Sequence, residues 1–189
     1  MEFRDKNPVI ILIAGKARSG KNTLANYIKE ELEKKNLKVV ISPYTKYLKQ
    51  YIESITNISI TEENKPRDLL QKLSSELIKK KLGKENLLIE RQLDDIEVYS
   101  YFANAIIIPD VRFPREIEVI RDKFNNVLSI GLKRENYTTD LTKEQQNDIT
   151  EISLDNYNNY DIIVRNNNLK DLQNKATNII NELYKRRML

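Results

Sequence analysis

The run Val9-Ile10-Ile11-Leu12-Ile13-Ala14-Gly15-Lys16-Ala17-Arg18-Ser19-Gly20-Lys21-Asn22-Thr23 decides the fold. Its first six residues are apolar and read as a buried strand. Leu24, Tyr27, Ile28 and Leu32 follow at helical spacing. Strand, glycine-rich turn and helix form the context that a phosphate-binding loop requires. The glycines let backbone N–H groups turn toward an anion, and the helix N-terminus adds partial positive charge. The pattern G-x-x-x-x-G-K is complete in Gly15, Gly20 and Lys21, and Lys21 is expected to reach the outer phosphates of a triphosphate from a solvated position. Asn22 stands where Ser or Thr usually does, and Thr23 comes one residue late. Lys16 and Arg18 add two cations to the loop.

A chain of 189 residues suits one domain with a real core. With 32% charged and 40% hydrophobic residues it reads as a soluble globular protein. The net charge of +4 suits a polyanionic small molecule as well as nucleic acid. Lys79-Lys80-Lys81 and Lys185-Arg186-Arg187 are short runs that read as solvated helix ends, so nucleic acid is not the expected partner. The chain has no Cys, which excludes a disulfide framework, and no His, which excludes a histidine base or ligand. The apolar run at 8–14 is too short for a membrane span or a signal peptide, so a cytoplasmic protein without a membrane partner is expected. A homodimer is left open.

The rest of the chain alternates strand and helix. Strands are expected at 8–14, 37–42, 105–109, 126–132 and 161–164. Helices are expected at about 21–35, 44–55, 65–82, 86–103 and 115–124. Leu69, Leu70, Leu73, Leu77 and Ile78 form one apolar stripe, and Ile89, Leu93 and Ile96 another. A closing helix carries Leu169, Leu172, Ala176, Ile179, Ile180 and Leu183 on one face. Strands apolar on both faces that alternate with helices imply a parallel sheet covered on both sides. The stretch 133–160 is polar and weakly patterned, with a loop at 156–160.

Asp110 ends the third strand, at the sheet edge where ligands bind in parallel sheets. A carboxylate there either holds Mg²⁺, directly or through water, or caps the next helix or turn. Arg112 lies at the same edge, and its planar fork suits a phosphate. Taken alone, it would pair with Glu116 across the turn at Pro114.

The loop at 15–23 resembles that of phage-type deoxynucleoside monophosphate kinases and the related animal-type phosphomevalonate kinases, which put a basic residue before Ser-Gly-Lys. Asn22 occupies a position that is Asp in those families. Further matches run in order: Tyr47-Leu48-Lys49, Pro66-Arg67-Asp68-Leu69-Leu70-Gln71 before Ser74-Ser75, and 108–116 as an Asp-x-Arg-Phe-x-x-Glu segment. Thr150-Glu151 resembles a late Ser-Glu pair, and 161–172 resembles the closing strand, Asn and helix. The resemblance implies a P-loop NTPase of nucleoside monophosphate kinase type. Its α/β fold would be a five-stranded parallel sheet flanked by helices, with a lid. The chain would be one domain, 1–189, with lid or acceptor insertions at about 44–103 and 133–160.

Such a protein would transfer the γ-phosphoryl group of ATP to a phosphorylated acceptor, most simply a (deoxy)nucleoside monophosphate. The whole loop, Gly15, Lys16, Ala17, Arg18, Ser19, Gly20, Lys21, Asn22 and Thr23, would bind ATP. Lys21, Asp110 and Arg112 would be the catalytic residues. Mg²⁺ would lie at Asn22 and Thr23, with Asp110 nearby. Lys49, Arg67, Gln71 and Arg112 would bind the acceptor; Arg18, Arg115, Arg121 and Arg134 are candidates to close over the transferred group. Tyr44, Tyr47, Gln71 and Tyr99 could form a slot for a base. A phosphomevalonate-type acceptor and a non-catalytic nucleotide-binding protein are the alternatives.

Overall fold

Val9–Ala14 forms strand β1, buried along its whole length. The structure is a computed structural model that describes residues 3, 5–61, 64, 66–134 and 142–189, with only the backbone of Glu144. Helix α1 (Lys21–Glu33) follows, then β2 (Val39–Ile41), α2 (Thr45–Thr56) and α3 (Arg67–Lys72). Helix α3 runs directly into a π-helix at Leu73–Lys81, after which come α4 (Leu87–Ser100), β3 (Ala105–Val111) and α5 (Pro114–Lys123). The chain ends with β4 (Val127–Arg134), α6 (Lys143–Gln146), α7 (Ile149–Ile152), β5 (Ile162–Asn166) and α8 (Leu169–Lys185).

The sheet has five strands in the order β2-β3-β1-β4-β5, and every pairing is parallel. On one face Ile11 and Ile13 pack with Leu24, Ile28 and Leu32 of α1 and Leu172, Ala176 and Ile179 of α8. On the other, Ile10 and Leu12 pack with Ile89 and Ile96 of α4 and Ile117 and Ile120 of α5. Full burial of each such side chain contributes about 1.5–3 kcal/mol, and every residue of β1 is apolar and buried. A smaller cluster of Leu48, Ile52, Leu70 and Ile78 holds α2, α3 and the π-helix together. Among the described residues no helix is long and apolar enough to cross a membrane.

Four expectations are corrected. Strand β3 does not end at Asp110 but continues to Val111. Leu12 pairs with Ile108 and Ala14 with Val111, so β3 carries one extra residue here. That bulge accommodates Pro109 in a central strand and re-aims Asp110. The helix expected over 65–82 is split; its expected start at Lys65 lies outside the described residues. Its second half is bonded with a wider turn, as in Leu82 N–H to Leu77 O at 2.9 Å. A stripe spaced at 3.6 residues drifts off the core in such a helix. In the π-helix Ile78 is buried but Leu77 is 39% exposed; in α3, ahead of it, Leu70 is buried and Leu69 is 46% exposed. Leu169 likewise lies outside the buried face of α8. Finally, the weakly patterned 133–160 contains the short helices α6 and α7, although residues 135–141 lie outside the described set.

Candidate functional site

The turn between β1 and α1 wraps an open cradle, and its shape explains its glycines. A Cβ on Gly15 would collide with the carbonyl oxygen of Leu132 in β4. Gly20 has φ 101°, and a Cβ there would sit 2.7 Å from Asn166 Nδ2. Arg18 adopts φ 56°, the left-handed conformation that costs a non-glycine residue about 1 kcal/mol or more and clusters at ligand sites.

Several long-range contacts hold this loop. Asn166 Nδ2 donates to Ser19 O at 2.8 Å, and Arg134 Nη1 to Arg18 O at 3.1 Å. Glu151 of α7 accepts the Ala17 N–H at 2.7 Å, and Lys16 Nζ pairs with Asp155 at 2.9 Å. Lys21 departs from its expected solvated pose. It is 7% exposed, and its ammonium donates to Gly15 O and Lys16 O, both at 2.7 Å. A short reach from the start of α1 to two converging carbonyls explains this position.

Beside the loop lies a cavity of about 660 Å³. Ala17, Arg18, Gly20, Lys21, Asn22 and Thr23 line it, and so do Lys49 of α2, Arg67 and Gln71 of α3, and Asp110 and Arg112 at the end of β3. The expected donor and acceptor residues thus share one space, except that Gly15, Lys16 and Ser19 do not line it. Of the arginines considered for closure, Arg18 and Arg134 reach the cavity and Arg115 and Arg121 do not. Arg121 instead pairs with Asp161 at 2.6 Å and Ser129 Oγ at 2.7 Å, on the far side of β4. Tyr44 and Gln71 line the cavity, whereas the Tyr47 hydroxyl is bonded to Asp95 and Gln92, and Tyr99 meets Lys46.

Asp110 is a helix cap. Its two carboxylate oxygens accept the N–H groups of Tyr44 and Thr45 at 2.8 and 2.9 Å, at the start of α2. A negative group at a helix N-terminus is stabilised by the unpaired amides and the helix dipole. Arg112 does not pair with the Glu116 carboxylate through its side chain. Its guanidinium contacts Glu151 Oε1 at 2.7 Å, with Gly15 O at 3.4 Å. Glu116 Oε2 instead takes the backbone N–H groups of Arg112 and Phe113, at 2.7 and 3.1 Å, and so fixes the turn into α5. Lys79 of the π-helix lies 3.7 Å over the Phe113 ring and braces the same turn.

Burial pushes the Glu116 carboxyl up to about 7, against the two amide bonds that favour its charged form. The folded protein therefore holds this proton more tightly than the unfolded chain, whose value is near 4.3. Stability from this group is full below about pH 4 and declines as pH rises to about 7. Glu116→Gln keeps the accepting oxygen and removes the charge. It should be more stable than wild type by about 3 kcal/mol at pH 8, with the difference vanishing below about pH 4. Urea unfolding of both proteins across that range checks this, and equal pH slopes would contradict it.

Mg²⁺ takes oxygen donors, phosphate oxygens and water. The exposed Asn22 and half-buried Thr23 on the cavity wall offer an amide oxygen and a hydroxyl, so they fit a cation shared with phosphates. Two residues of the site escaped sequence reasoning. Glu151 was visible only as half of a Thr-Glu pair, and Glu116 as the end of a motif and a partner for Arg112, not as the acceptor of two backbone N–H groups.

The parallel sheet, loop and cavity define the P-loop kinase class of fold. The sequence model of the Zeta toxin family matches residues 2–107, more than half of the chain, and the chain belongs to that family. That match includes the loop and ends before Asp110 and Arg112. No curated protein sequence matches the chain. Among solved structures it is similar to the Mycobacterium tuberculosis APS kinase in complex with AMPPNP and APS. The TM-score is 0.61 at 9% identity, over 94% of this chain and 98% of that one. A Cys556Ala mutant of the same kinase gives 0.56 at 10% identity, over 94% and 97%. Shikimate kinase from Bacteroides thetaiotaomicron gives 0.50 at 16%, over 94% and 98%. At such identities the likeness establishes the fold alone.

Proposed function

We propose that the chain is an ATP-dependent kinase that transfers the γ-phosphoryl group to a phosphorylated small molecule, a (deoxy)nucleoside monophosphate in the first instance. One observation carries this reading. A single cavity is lined by the phosphate loop and by Lys49, Arg67 and Arg112, cations from three other parts of the chain. That arrangement suits two phosphate-bearing ligands brought end to end. The fold of an APS kinase solved with AMPPNP and APS supports the same reading. So does the resemblance of the loop and of 108–116 to deoxynucleoside monophosphate kinases.

Phosphoryl transfer needs positioning and cations more than covalent help. Lys21 and the amides of the loop would hold the donor phosphates, with Lys21 exchanging loop carbonyls for phosphate oxygens. Arg112, Lys49 and Arg67 would bind the acceptor phosphate, and Gln71 and Tyr44 its base. Arg18 and Arg134 would close over the transferred group. Mg²⁺ held at Asn22 and Thr23 would supply charge neutralisation on the phosphates. Asp110, whose oxygens hold α2, would act on that cation only through water while orienting the helix that carries Lys49. A phosphate acceptor is already ionised and needs no general base. This agrees with Asp110 and Glu151, both of whose oxygens already accept N–H bonds. The segments at about 44–103 and 133–160 would then be acceptor and lid regions of one domain. Phosphomevalonate remains the second acceptor class, since Lys49 and Arg112 recognise a phosphate whatever it is attached to. Transfer of labelled phosphate from ATP to a panel of such acceptors tests the reading.

A further inference from the structure

We propose that Glu151 is a positioning residue that couples the phosphate loop to Arg112, an inference that rests on the kinase reading. Its Oε2 accepts the Ala17 N–H at 2.7 Å, and its Oε1 accepts the Arg112 guanidinium at 2.7 Å. The Glu151 side chain is 8% exposed and that of Arg112 24%. Arg112 Nη1 also lies 3.4 Å from Gly15 O, the carbonyl that takes the Lys21 ammonium at 2.7 Å. Polar contacts thus run from Lys21 through Gly15 O, Arg112 and Glu151 to the Ala17 N–H, and the Lys21 bond to Lys16 O closes the circuit through the Lys16–Ala17 peptide.

A carboxylate beside a phosphate site repels the ligand, and burying it costs desolvation. Glu151 is held there by two bonds to donors that are themselves phosphate binders. The guanidinium is a rigid fork with five N–H donors. One donor on Glu151 fixes the plane of the fork and leaves others for an anion. Ile149 and Ile152 of α7 are exposed, so the helix is seated on the loop through Glu151 and the neighbouring Lys16–Asp155 pair rather than through its own apolar side chains. A shift of the loop at Ala17 is thereby passed to Arg112, which links occupancy of the donor side to the aim of the acceptor side.

Glu151→Gln keeps the volume but turns one acceptor into a donor, so it cannot serve both partners. In the full-length protein with ATP and Mg²⁺ it should lower kcat about tenfold to a hundredfold and raise the acceptor KM, with the ATP KM changed by about threefold at most. Glu151→Asp, with the charge but a shorter reach, should recover part of the loss. Adding Glu151→Gln to Arg112→Ala should cost little more than Arg112→Ala alone, because Glu151 acts through Arg112. A purely structural role would lower Tm and leave kcat and both KM values of the folded protein unchanged, which would overturn the coupling. A second readout needs no turnover. In ¹H–¹⁵N spectra the Ala17 amide should move on Arg112→Ala in the wild-type background and stay put in the Glu151→Gln background. An Ala17 amide indifferent to Arg112→Ala overturns the coupling even if the protein is a kinase. An amide that responds, in a protein that phosphorylates no acceptor, upholds the coupling and overturns the kinase reading instead.

Discussion

Lys21→Ala should reduce phosphoryl transfer by about 10²–10³-fold or more while the protein stays folded. The loss follows from removing a cation that would move with the donor phosphates, where charge builds during transfer. The variant should also lose some stability. The ammonium of Lys21 satisfies Gly15 O and Lys16 O, and stranding partly buried carbonyls costs about 1–3 kcal/mol. Circular dichroism and a melting curve separate the two effects: a folded variant with a lower Tm and no turnover agrees with the reading. Wild-type turnover with any accepted substrate would remove Lys21 from the chemistry.

Arg112→Ala should raise the acceptor KM by about tenfold to a hundredfold and slow transfer, with little change in ATP affinity. The guanidinium is paired with Glu151, a nearly buried carboxylate, so this is no loose surface pair. The stability loss should accordingly exceed the roughly 1 kcal/mol of an exposed pair, approaching the 3–5 kcal/mol seen when one partner of a buried pair is removed. Arg112→Lys keeps a charge beside Glu151 and should restore much of the stability. It should recover only part of the acceptor KM, because an ammonium lacks the planar fork. Steady-state kinetics on both variants decides this. An acceptor KM unchanged in Arg112→Ala would leave Arg112 a purely structural partner of Glu151.

What was legible in the sequence was what local pattern controls. The apolar run of β1, the glycines of the loop and the spacing of Leu24, Ile28 and Leu32 each report on their own neighbourhood, and together they specify strand, turn and helix. The buried stripe of α8 was legible for the same reason, from Leu172 to Leu183. The π-helix was not, because a stripe read at 3.6 residues per turn assumes the α-helical turn that Leu73–Lys81 does not have. Only Val111 was missed at the end of β3, because the bulge opposite Ile13 that carries the strand past Asp110 leaves no local pattern. The roles of the carboxylates were hidden by distance along the chain. Asp110 meets amides 65 and 66 residues away, and Glu151 meets an amide 134 residues away. Asp110 and Arg112, singled out by motif position, both line the cavity, yet only the folded chain specifies what each side chain holds.

A label-transfer assay asks whether the phosphoryl group passes to a phosphate-bearing acceptor. The full-length protein is incubated with γ-labelled ATP and Mg²⁺ and with each of a panel of ribo- and deoxynucleoside monophosphates and phosphomevalonate. Labelled diphosphate product is expected from at least one acceptor, lost in Lys21→Ala and reduced in Arg112→Ala. Label that passes only to water, or to hydroxyl acceptors bearing no phosphate, would contradict it.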